Sequence, residues 1–260
     1  MHVVQALSVV ALTFISSMPG RQQAAPTAKP VAQWKHPGVL SLEIGGDFEG
    51  DILLPRNRST DRNAVTKKDE LWPKGIIPYV IDAQLNRTTK KILKTMADIE
   101  SETCLRFVAR RKQKNYVLIT RREGCSSFVG RQGGVQEVSL GTHCLYTGLI
   151  AHELLHAVGF DHEHSRSDRD EYIDVFMENV EPENTEQFEK LAPSKNRLLT
   201  PFDMDSIMLY GSETFAREPG LVTMLAKNGS HLKDVFEKPG LSASDVLRIN
   251  LLYNCKNKKK

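Results

Sequence analysis

The alternation of apolar and polar positions along the chain predicts a mixture of strands and helices. Residues 76–81 are rich in β-branched side chains, which is typical of a strand. Similar short runs predict further strands at 105–108, 116–120 and 135–140. Residues 88–103 repeat apolar side chains at the spacing of one helical face. Further helices are predicted at 146–158, 183–191 and 242–253, the last with the capping-box residues Ser242 and Asp245.

The helix predicted at 146–158 carries histidines whose spacing indicates a metal site. His152 and His156 are four residues apart and therefore lie on one face of the helix. Gly159 can adopt a positive φ, so the helix can end there and the chain can turn back. His162 then reaches the same metal from below. Three imidazoles suit a zinc ion and leave one coordination position open for water.

The residue next to the first histidine indicates what the metal is for. Glu153 lies beside the open position, where it can take a proton from water whose pKa zinc lowers to about 7. This arrangement is typical of a hydrolase. The alternative, a helix with two surface histidines, is disfavoured by Gly159 and His162 at fixed offsets. The remaining histidines that stand alone are interpreted as solvated or hydrogen-bonded side chains: His143, His164 and His231.

The longer histidine motif is that of the metzincins. Its continuation to Asp170 resembles the astacin family of zinc endopeptidases. The segment Ser-Ile-Met-Leu-Tyr at 206–210 is similar to the Met-turn of that family. Other similar segments, in the same order and from about residue 45 onward, are FEGDI at 48–52, LWPKGIIPYVI at 71–81, GRQGGVQEVSLGTHC at 130–144 and LSASDVLRINLLYNC at 241–255.

The resemblance implies an α+β fold of two lobes separated by a substrate cleft. The upper lobe would hold a twisted mixed sheet, with the active-site helix above the cleft. The strand at 135–140 would border the cleft and pair with the backbone of the substrate. The lower lobe, after Gly159, would be irregular and contain helices. The charged residues Arg166, Asp168, Arg169 and Asp170 are interpreted as an ion network that holds this lobe rather than as a substrate-recognition site.

The resemblance also implies the role of each site residue. One zinc ion is held by His152, His156 and His162, and Glu153 is the general base. Met208 forms an apolar floor under the metal. Tyr210 is a fifth ligand that swings away to stabilise the oxyanion, a role that suits a phenol O–H donor. Without the histidines, Met208 and Tyr210 would be interpreted as ordinary core residues. The sequence departs from the family at Leu209, often His, and at Met204, often aromatic, which concerns subsite shape and not catalysis.

The amino-terminal quarter of the chain predicts a leader and a pro-segment. Residues 3–15 are apolar but too few to cross a bilayer, so 1–20 is interpreted as a signal peptide rather than a buried strand. Residues 21–62 would be the propeptide, with a flexible part at 21–44. The catalytic domain would span 63–255, and 256–260 would be a solvated basic tail. We therefore expect a secreted protein.

The resemblance implies that this pro-segment keeps the enzyme latent. Asp51 would occupy the zinc site in place of the catalytic water. A trypsin-like protease would cut after Arg62 and free Asn63 as the mature amino terminus. This terminus would be buried and linked through water to Glu163. Arg56 and Arg58 are alternative cut sites.

The four cysteines suit a secreted protein and allow three pairings, between which the sequence does not choose. The resemblance implies the pairs Cys104–Cys255 and Cys125–Cys144. Asn86 and Asn228 begin glycosylation triplets, which are common by chance.

The composition of the chain says more about its possible binding partners than about its fold. The chain has 260 residues, enough for one sizeable catalytic domain, and 35 basic against 32 acidic residues give a net charge of +3. That charge is too small to favour nucleic acid or a membrane as partner. We expect a monomer whose substrates are proteins or peptides, including extracellular-matrix proteins.

The biological role is less well determined than the chemistry. The layout is similar to arachnid astacin-like venom or digestive proteases, and hatching-type proteases share it. The alternative of another class is a catalytically dead relative that binds proteins. The complete set of Glu153, Tyr210 and three histidines argues against that alternative.

Overall fold

The computed structural model describes residues 35–55 and 68–255. The signal peptide predicted at 1–20, the cut at Arg62 that frees Asn63, and the basic tail at 256–260 lie outside the described residues. Among the described residues, no helix is both long and apolar enough to cross a membrane.

Four α-helices and eight strands build the described part of the chain. The helices are α1 (Pro37–Glu43), α2 (Thr89–Glu102), α3 (Thr147–Val158) and α4 (Ala243–Leu252). The strands are β1 (Ile52–Leu53), β2 (Ile76–Ile81), β3 (Arg106–Ala109), β4 (Tyr116–Thr120), β5 (Cys125–Phe128), β6 (Val135–Leu140), β7 (Ile173–Val175) and β8 (Met224–Ala226). The remaining ordered segments are short 3-10 turns.

The upper lobe is a six-stranded mixed sheet in the order β1-β5-β6-β4-β2-β3. Only β5 and β6 are antiparallel, and the other neighbours are parallel. Helices α2 and α3 pack together and bury their apolar side chains in the core, including Ile92, Met96 and Ile99 of α2. The α+β architecture with a twisted mixed sheet is therefore confirmed.

The prediction that the strand at 135–140 borders the cleft is wrong. This strand is β6, and it lies inside the sheet with β5 on one side and β4 on the other. An interior strand has no free backbone groups for a substrate. Next to the two-residue β1, the strand nearest that edge is β5, which the sequence does not predict because Cys-Ser-Ser-Phe has no strand-like apolar alternation.

The lower lobe begins at Gly159, whose φ of 116° ends α3 in the left-handed region. It consists mainly of loops and 3-10 turns, with a small antiparallel pair of β7 and β8. The helix predicted at 183–191 is instead a 3-10 helix, Pro182–Phe188. Only Gln187 and Phe188 of that segment are buried, so it has no apolar face wide enough to stabilise an α-helix.

The expectation that 21–44 is flexible is wrong for its last part, which contains α1. His36 caps this helix by accepting a hydrogen bond from the backbone N–H of Gly38. Leu42 is 4% exposed and belongs to the main core cluster. Lys35 and Glu43 form a buried ion pair of 2.7 Å across the helix. Seven residues are too few to show helical periodicity, so only tertiary contacts reveal this element.

Two disulfides join distant parts of the chain, in the pairs that the resemblance implies. Cys104–Cys255 links the end of α2 to the end of α4, with 5.5 Å between the Cα atoms. Cys125–Cys144 links β5 to the segment before α3, with 5.6 Å between the Cα atoms. The capping box predicted for α4 is also present, with Ser242 and Asp245 each accepting from the other's backbone N–H.

Candidate metal centre

The three predicted histidines meet at one point under α3. His152 and His156 project from the same face of the helix, and the turn at Gly159 brings His162 beneath them. Their Nε2 atoms are separated by 3.1 to 3.2 Å. Tetrahedral zinc with bonds of about 2.0–2.1 Å places its ligand atoms about 3.3 Å apart. The spacing of the donor atoms therefore fits a zinc ion.

The second nitrogen of each ring fixes its tautomer. The Nδ1 atoms of His152 and His156 lie 2.7 Å from the backbone oxygens of Ile207 and Phe160. That of His162 lies 2.5 Å from a carboxylate oxygen of Glu49. A proton on each Nδ1 leaves three lone pairs on the Nε2 atoms facing one another. Three lone pairs that converge in this way suit a metal cation between the nitrogens.

Asp51 approaches the same point from the amino-terminal segment described at 35–55. Its Oδ2 lies 2.9 Å from Nε2 of His152, and its Oδ1 lies 3.3 Å and 3.1 Å from Nε2 of His156 and of His162. The side chain is fully buried. These four side chains form a group whose ligand atoms all lie within 4.8 Å of one another. The carboxylate therefore lies among the same donor atoms as the three imidazoles and belongs to a group that could hold a metal ion.

Glu153 lies beside this group and is fully buried. Neither of its carboxylate oxygens has a hydrogen-bond partner among the described residues. Burial, together with the nearby charge of Asp51, raises the pKa of Glu153 well above its ordinary value. A buried carboxyl with unused oxygens and a raised pKa has the properties of a group that exchanges protons.

The aromatic residue of the Met-turn lies against the histidines. The ring centroid of Tyr210 is 4.4 Å from that of His162, and its hydroxyl donates to the backbone oxygen of Glu49 at 2.8 Å. Burial, with the carboxylate of Asp51 nearby, raises the pKa of Tyr210 well above its ordinary value, so the phenol keeps its proton. Met208 is 1% exposed, and its backbone oxygen accepts from the N–H of Glu163.

Two further residues, which the sequence does not mark as site residues, form hydrogen bonds with the Met-turn. Asp245 of α4 accepts from the hydroxyl of Ser206 at 2.7 Å and from the N–H of Ile207 at 2.8 Å. The buried amine of Lys238 donates to the backbone oxygens of Ser206 and Leu209, at 2.7 and 2.6 Å. The capping-box pattern detected Asp245 only as a helix cap, and no sequence signal marks Lys238.

Glu163 is buried directly behind the ligand His162. Arg248 holds its two oxygens at 2.5 and 2.6 Å, and Arg166 holds one of them at 3.0 Å. A cavity of about 40 Å³ opens beside the carboxylate, lined in part by Asn196 and Arg248. The predicted partner Asn63 lies outside the described residues. Arg166 also pairs with Asp168 and Arg169 with Asp170, which confirms the predicted ion network.

The isolated histidines divide into two groups. His143 and His231 are exposed, as predicted. Of the two alternatives predicted for His164, solvated or hydrogen-bonded, the first is wrong, because the side chain is fully buried and stacks on Tyr210 and His162, with centroid distances of 5.0 and 5.1 Å. Nothing in its local sequence distinguishes an imidazole packed among other rings from one in solvent.

The fold and the centre define a zinc metallopeptidase of the metzincin type. Residues 64–254 match the family model described as Astacin, a family of peptidases. The chain therefore belongs to the astacin family of zinc metalloendopeptidases, and His152, His156 and His162 form its zinc site.

Relatives with assigned names agree with this membership. Astacin-like metalloprotease toxin 1 of Loxosceles intermedia is 40% identical over 246 residues, which cover 85% of this chain and 93% of the relative. Zinc metalloproteinase nas-4 of Caenorhabditis elegans is 40% identical over 223 residues, covering 82% and 70%. A solved hatching enzyme, high choriolytic enzyme 1 of Oryzias latipes, superposes with a TM-score of 0.66 at 35% identity, covering 78% of this chain and 99% of that one.

Proposed function

We propose that the chain is the latent precursor of a secreted endopeptidase that cleaves extracellular proteins. The observation that carries this proposal is the position of Asp51, a pro-segment carboxylate, among the three zinc-binding imidazoles. Secretion is supported by the apolar run at 3–15 and by the two disulfides, which persist in oxidising compartments.

Zinc bound at the three imidazoles would supply Lewis-acid chemistry and a water of lowered pKa. Glu153 takes the proton from the attacking water, since its buried oxygens have no other hydrogen-bond partner among the described residues. The same carboxyl then delivers the proton to the leaving amine. Tyr210 donates its O–H to the oxyanion once it is released from Glu49. Met208 keeps the floor of the site apolar.

Substrates would bind along the edge of the sheet that the pro-segment now covers. Strand β1 pairs with β5 in parallel, with Ile52 opposite Ser127 and Leu53 opposite Phe128. Removal of β1 frees the backbone groups of β5, which can then pair with an extended protein segment. This assigns to β5 the role that the sequence analysis placed on β6.

The activity test uses the chain cut after Arg62. It should degrade gelatin and casein, lose this activity with 1,10-phenanthroline and regain it with added zinc. Glu153→Ala should keep zinc but lose activity by roughly 10²–10⁴-fold, because the proton acceptor is gone. A variant that retains most of its activity would contradict the role of Glu153. No cleavage by zinc-loaded protein that starts at Asn63 would favour the protein-binding alternative.

We call Asp51 the latch, because its carboxylate would occupy the zinc site until the chain is cut. This role is tested on the uncut precursor. Asp51→Ala should release early activity, because water can then reach the centre. Asp47→Ala is the control, since this carboxylate lies in the same segment but is exposed. A silent Asp51→Ala precursor, from protein that becomes active after cutting, would exclude the latch without excluding the peptidase.

The mature terminus is proposed to settle in the cavity beside Glu163, where a buried carboxylate can receive an amino group. A trypsin-like protease acting at Arg62 would generate that terminus. A processed chain with one extra residue before Asn63 should show reduced activity at unchanged zinc content. Activity equal to that of the chain starting at Asn63 would exclude this link.

For the biological role we propose venom or digestive proteolysis of extracellular-matrix proteins, by a monomer. The similarity to a spider metalloprotease toxin supports this role. A hatching-type role is the second candidate, because the superposed hatching enzyme is matched over 99% of its chain. Relative rates on fibronectin and on isolated egg-envelope protein would discriminate between them.

A further inference from the structure

The three imidazoles differ in which part of the chain accepts the hydrogen bond from their Nδ1 atom. His152 and His156 donate to backbone oxygens of the catalytic domain itself, those of Ile207 and Phe160. His162 donates to the carboxylate of Glu49, which belongs to the pro-segment. One zinc ligand of the three therefore depends on the pro-segment for its outer contact.

Glu49 is buried, and both its backbone and its side chain form hydrogen bonds with the catalytic domain. It is 1% exposed, and its N–H donates to the side-chain oxygen of Gln187 at 2.5 Å. Its backbone oxygen accepts from Tyr210 at 2.8 Å, and its carboxylate also receives the hydroxyl of Ser165 at 3.3 Å. The φ of 46° lies in the left-handed region, which a non-glycine residue keeps only where surrounding contacts hold it.

We propose that Glu49 is a positioning residue through which the pro-segment tightens zinc binding, so that the precursor holds zinc more firmly than the processed chain does. The inference rests on the proposed latch, in which Asp51 supplies the fourth ligand. A carboxylate on the second nitrogen of a ligating histidine fixes the ring and raises the basicity of the ligating nitrogen. Because Glu49 is buried, solvent does not screen its charge.

Cutting the chain and releasing the pro-segment removes Asp51 and Glu49 together. The loss of Asp51 opens a coordination position for water, which catalysis requires. The loss of Glu49 removes the outer contact of His162, while His152 and His156 keep theirs. Zinc would thus be loaded at the precursor stage and held less tightly by the active form.

The test measures zinc affinity of the uncut precursor by competition with a chromophoric chelator. Glu49→Ala should weaken zinc binding by about 10–100-fold, the usual effect of losing an outer-shell partner. Glu49→Gln should weaken it less, because the amide oxygen still accepts from His162 but carries no charge. The chain cut after Arg62 and freed of its pro-segment should bind zinc at least about 10-fold more weakly than the precursor.

Glu43→Gln is the matched control. Glu43 is another buried pro-segment carboxylate, with its side chain 6% exposed, and it anchors that segment by accepting from the N–H of Phe215 at 2.7 Å. It touches no zinc ligand. If loosening the pro-segment were sufficient, Glu43→Gln would weaken zinc binding as much as Glu49→Gln does. That result would overturn the proposal.

A spectroscopic readout separates positioning from general destabilisation. In zinc-loaded precursor with ¹⁵N-labelled histidine, Glu49→Gln should move the Nδ1–H proton signal of His162 upfield. The signals of His152 and His156, which donate to backbone oxygens, should stay in place. Equal shifts of all three signals would indicate a structural effect and contradict the proposal. If Glu49→Ala does not fold, the near-isosteric Glu49→Gln still gives both readouts.

Failure of this inference is distinguishable from failure of the latch. Zinc affinity that is unchanged in Glu49→Ala but reduced in Asp51→Asn would overturn the role of Glu49 and leave the latch intact. Unchanged affinity in both variants, with a silent Asp51→Ala precursor, would overturn the latch as well. Equal zinc affinities of precursor and processed chain would also overturn the proposal.

Discussion

Glu163 is a buried carboxylate whose charge is balanced by Arg166 and Arg248 directly behind the zinc ligand His162. Glu163 is 3% exposed, and both arginines are 6% exposed. Burial raises the pKa of Glu163, although the two arginines oppose this effect. Removing one partner from a buried pair leaves a charge without compensation, which costs more than the pair itself contributes.

Arg248→Met should therefore lower the free energy of unfolding by roughly 3–5 kcal/mol. The measurement is urea denaturation of the precursor followed by circular dichroism. Lys94→Met is the control, because Lys94 and Asp98 form a surface pair with side chains 74% and 54% exposed. The control should cost no more than about 0.5 kcal/mol. Similar losses in both variants would contradict a buried network at Glu163.

Lys238 predicts a pH dependence of stability. Burial lowers its pKa to about 8, from 10.5, although nearby carboxylates such as Asp245 oppose the shift. The pKa of Lys238 is lower in the folded protein than in the unfolded chain. Its contribution to the free energy of unfolding is therefore complete above pH 10.5, where the amine is neutral in both states, and is lost as the pH falls through about 8. The difference in free energy of unfolding between the natural chain and Lys238→Met should thus rise by up to about 3 kcal/mol from pH 7.5 to 10.5. A difference independent of pH would contradict the lowered pKa.

The residues predictable from the sequence are those with fixed spacing. A helix places His152, His156 and Glu153 by geometry alone, and Gly159 marks the turn to His162. Glu49 and Gln187 could not be paired in advance, because 138 positions separate them along the chain. Their contact depends on how the segment 35–55 packs against the rest of the described chain, which no local pattern encodes.

Secondary-structure elements were predictable where they bury apolar side chains in a regular pattern. The bounds of β2, β4 and β6 agree with the predicted strands, and α2, α3 and α4 agree within one residue at most at each end. The missed strands are short and paired through their backbones. Strand β1 has two residues, and β5 contains two serines, so neither shows a period. The pairing of β1 with β5 at the edge of the sheet is a tertiary property.

Helix α1 anchors the strand that covers this edge. Leu42→Ala should lower the free energy with which the segment containing α1 and β1 docks by about 2–5 kcal/mol, because Leu42 is 4% exposed in the core cluster. The N–H of Ser127 in β5, bonded to the backbone oxygen of Asp51 at 2.9 Å, should then exchange its hydrogen faster. Ile44→Ala is the control, since Ile44 is 48% exposed. Unchanged exchange at Ser127 in Leu42→Ala would show that β1 docks without α1.

Within the described residues, an early segment and a late segment of the chain both make contacts around the zinc centre. The segment 35–55 supplies Asp51 and Glu49 to the metal centre. Helix α4, near the other end, supplies Asp245 to the Met-turn and Arg248 to Glu163. The disulfide Cys104–Cys255 ties α4 to the end of α2 in the upper lobe. This disulfide therefore fixes one end of the helix that contacts the Met-turn and Glu163, although its cysteines are far from the metal ligands in the sequence.

Removing the disulfide Cys104–Cys255 should lower the free energy of unfolding by more than removing Cys125–Cys144 does. Cys104–Cys255 spans a sequence separation of 151 residues, and Cys125–Cys144 spans 19. The chain-entropy relation assigns about 2 kcal/mol more stabilisation to the longer loop. The double substitution to serine at 104 and 255 should thus lower the denaturation midpoint further than the one at 125 and 144. It should also weaken zinc binding, because α4 is freed to move away from the Met-turn and Glu163. An equal or smaller loss for the longer loop would show that packing of α4, rather than the disulfide, holds the lower lobe to the upper one.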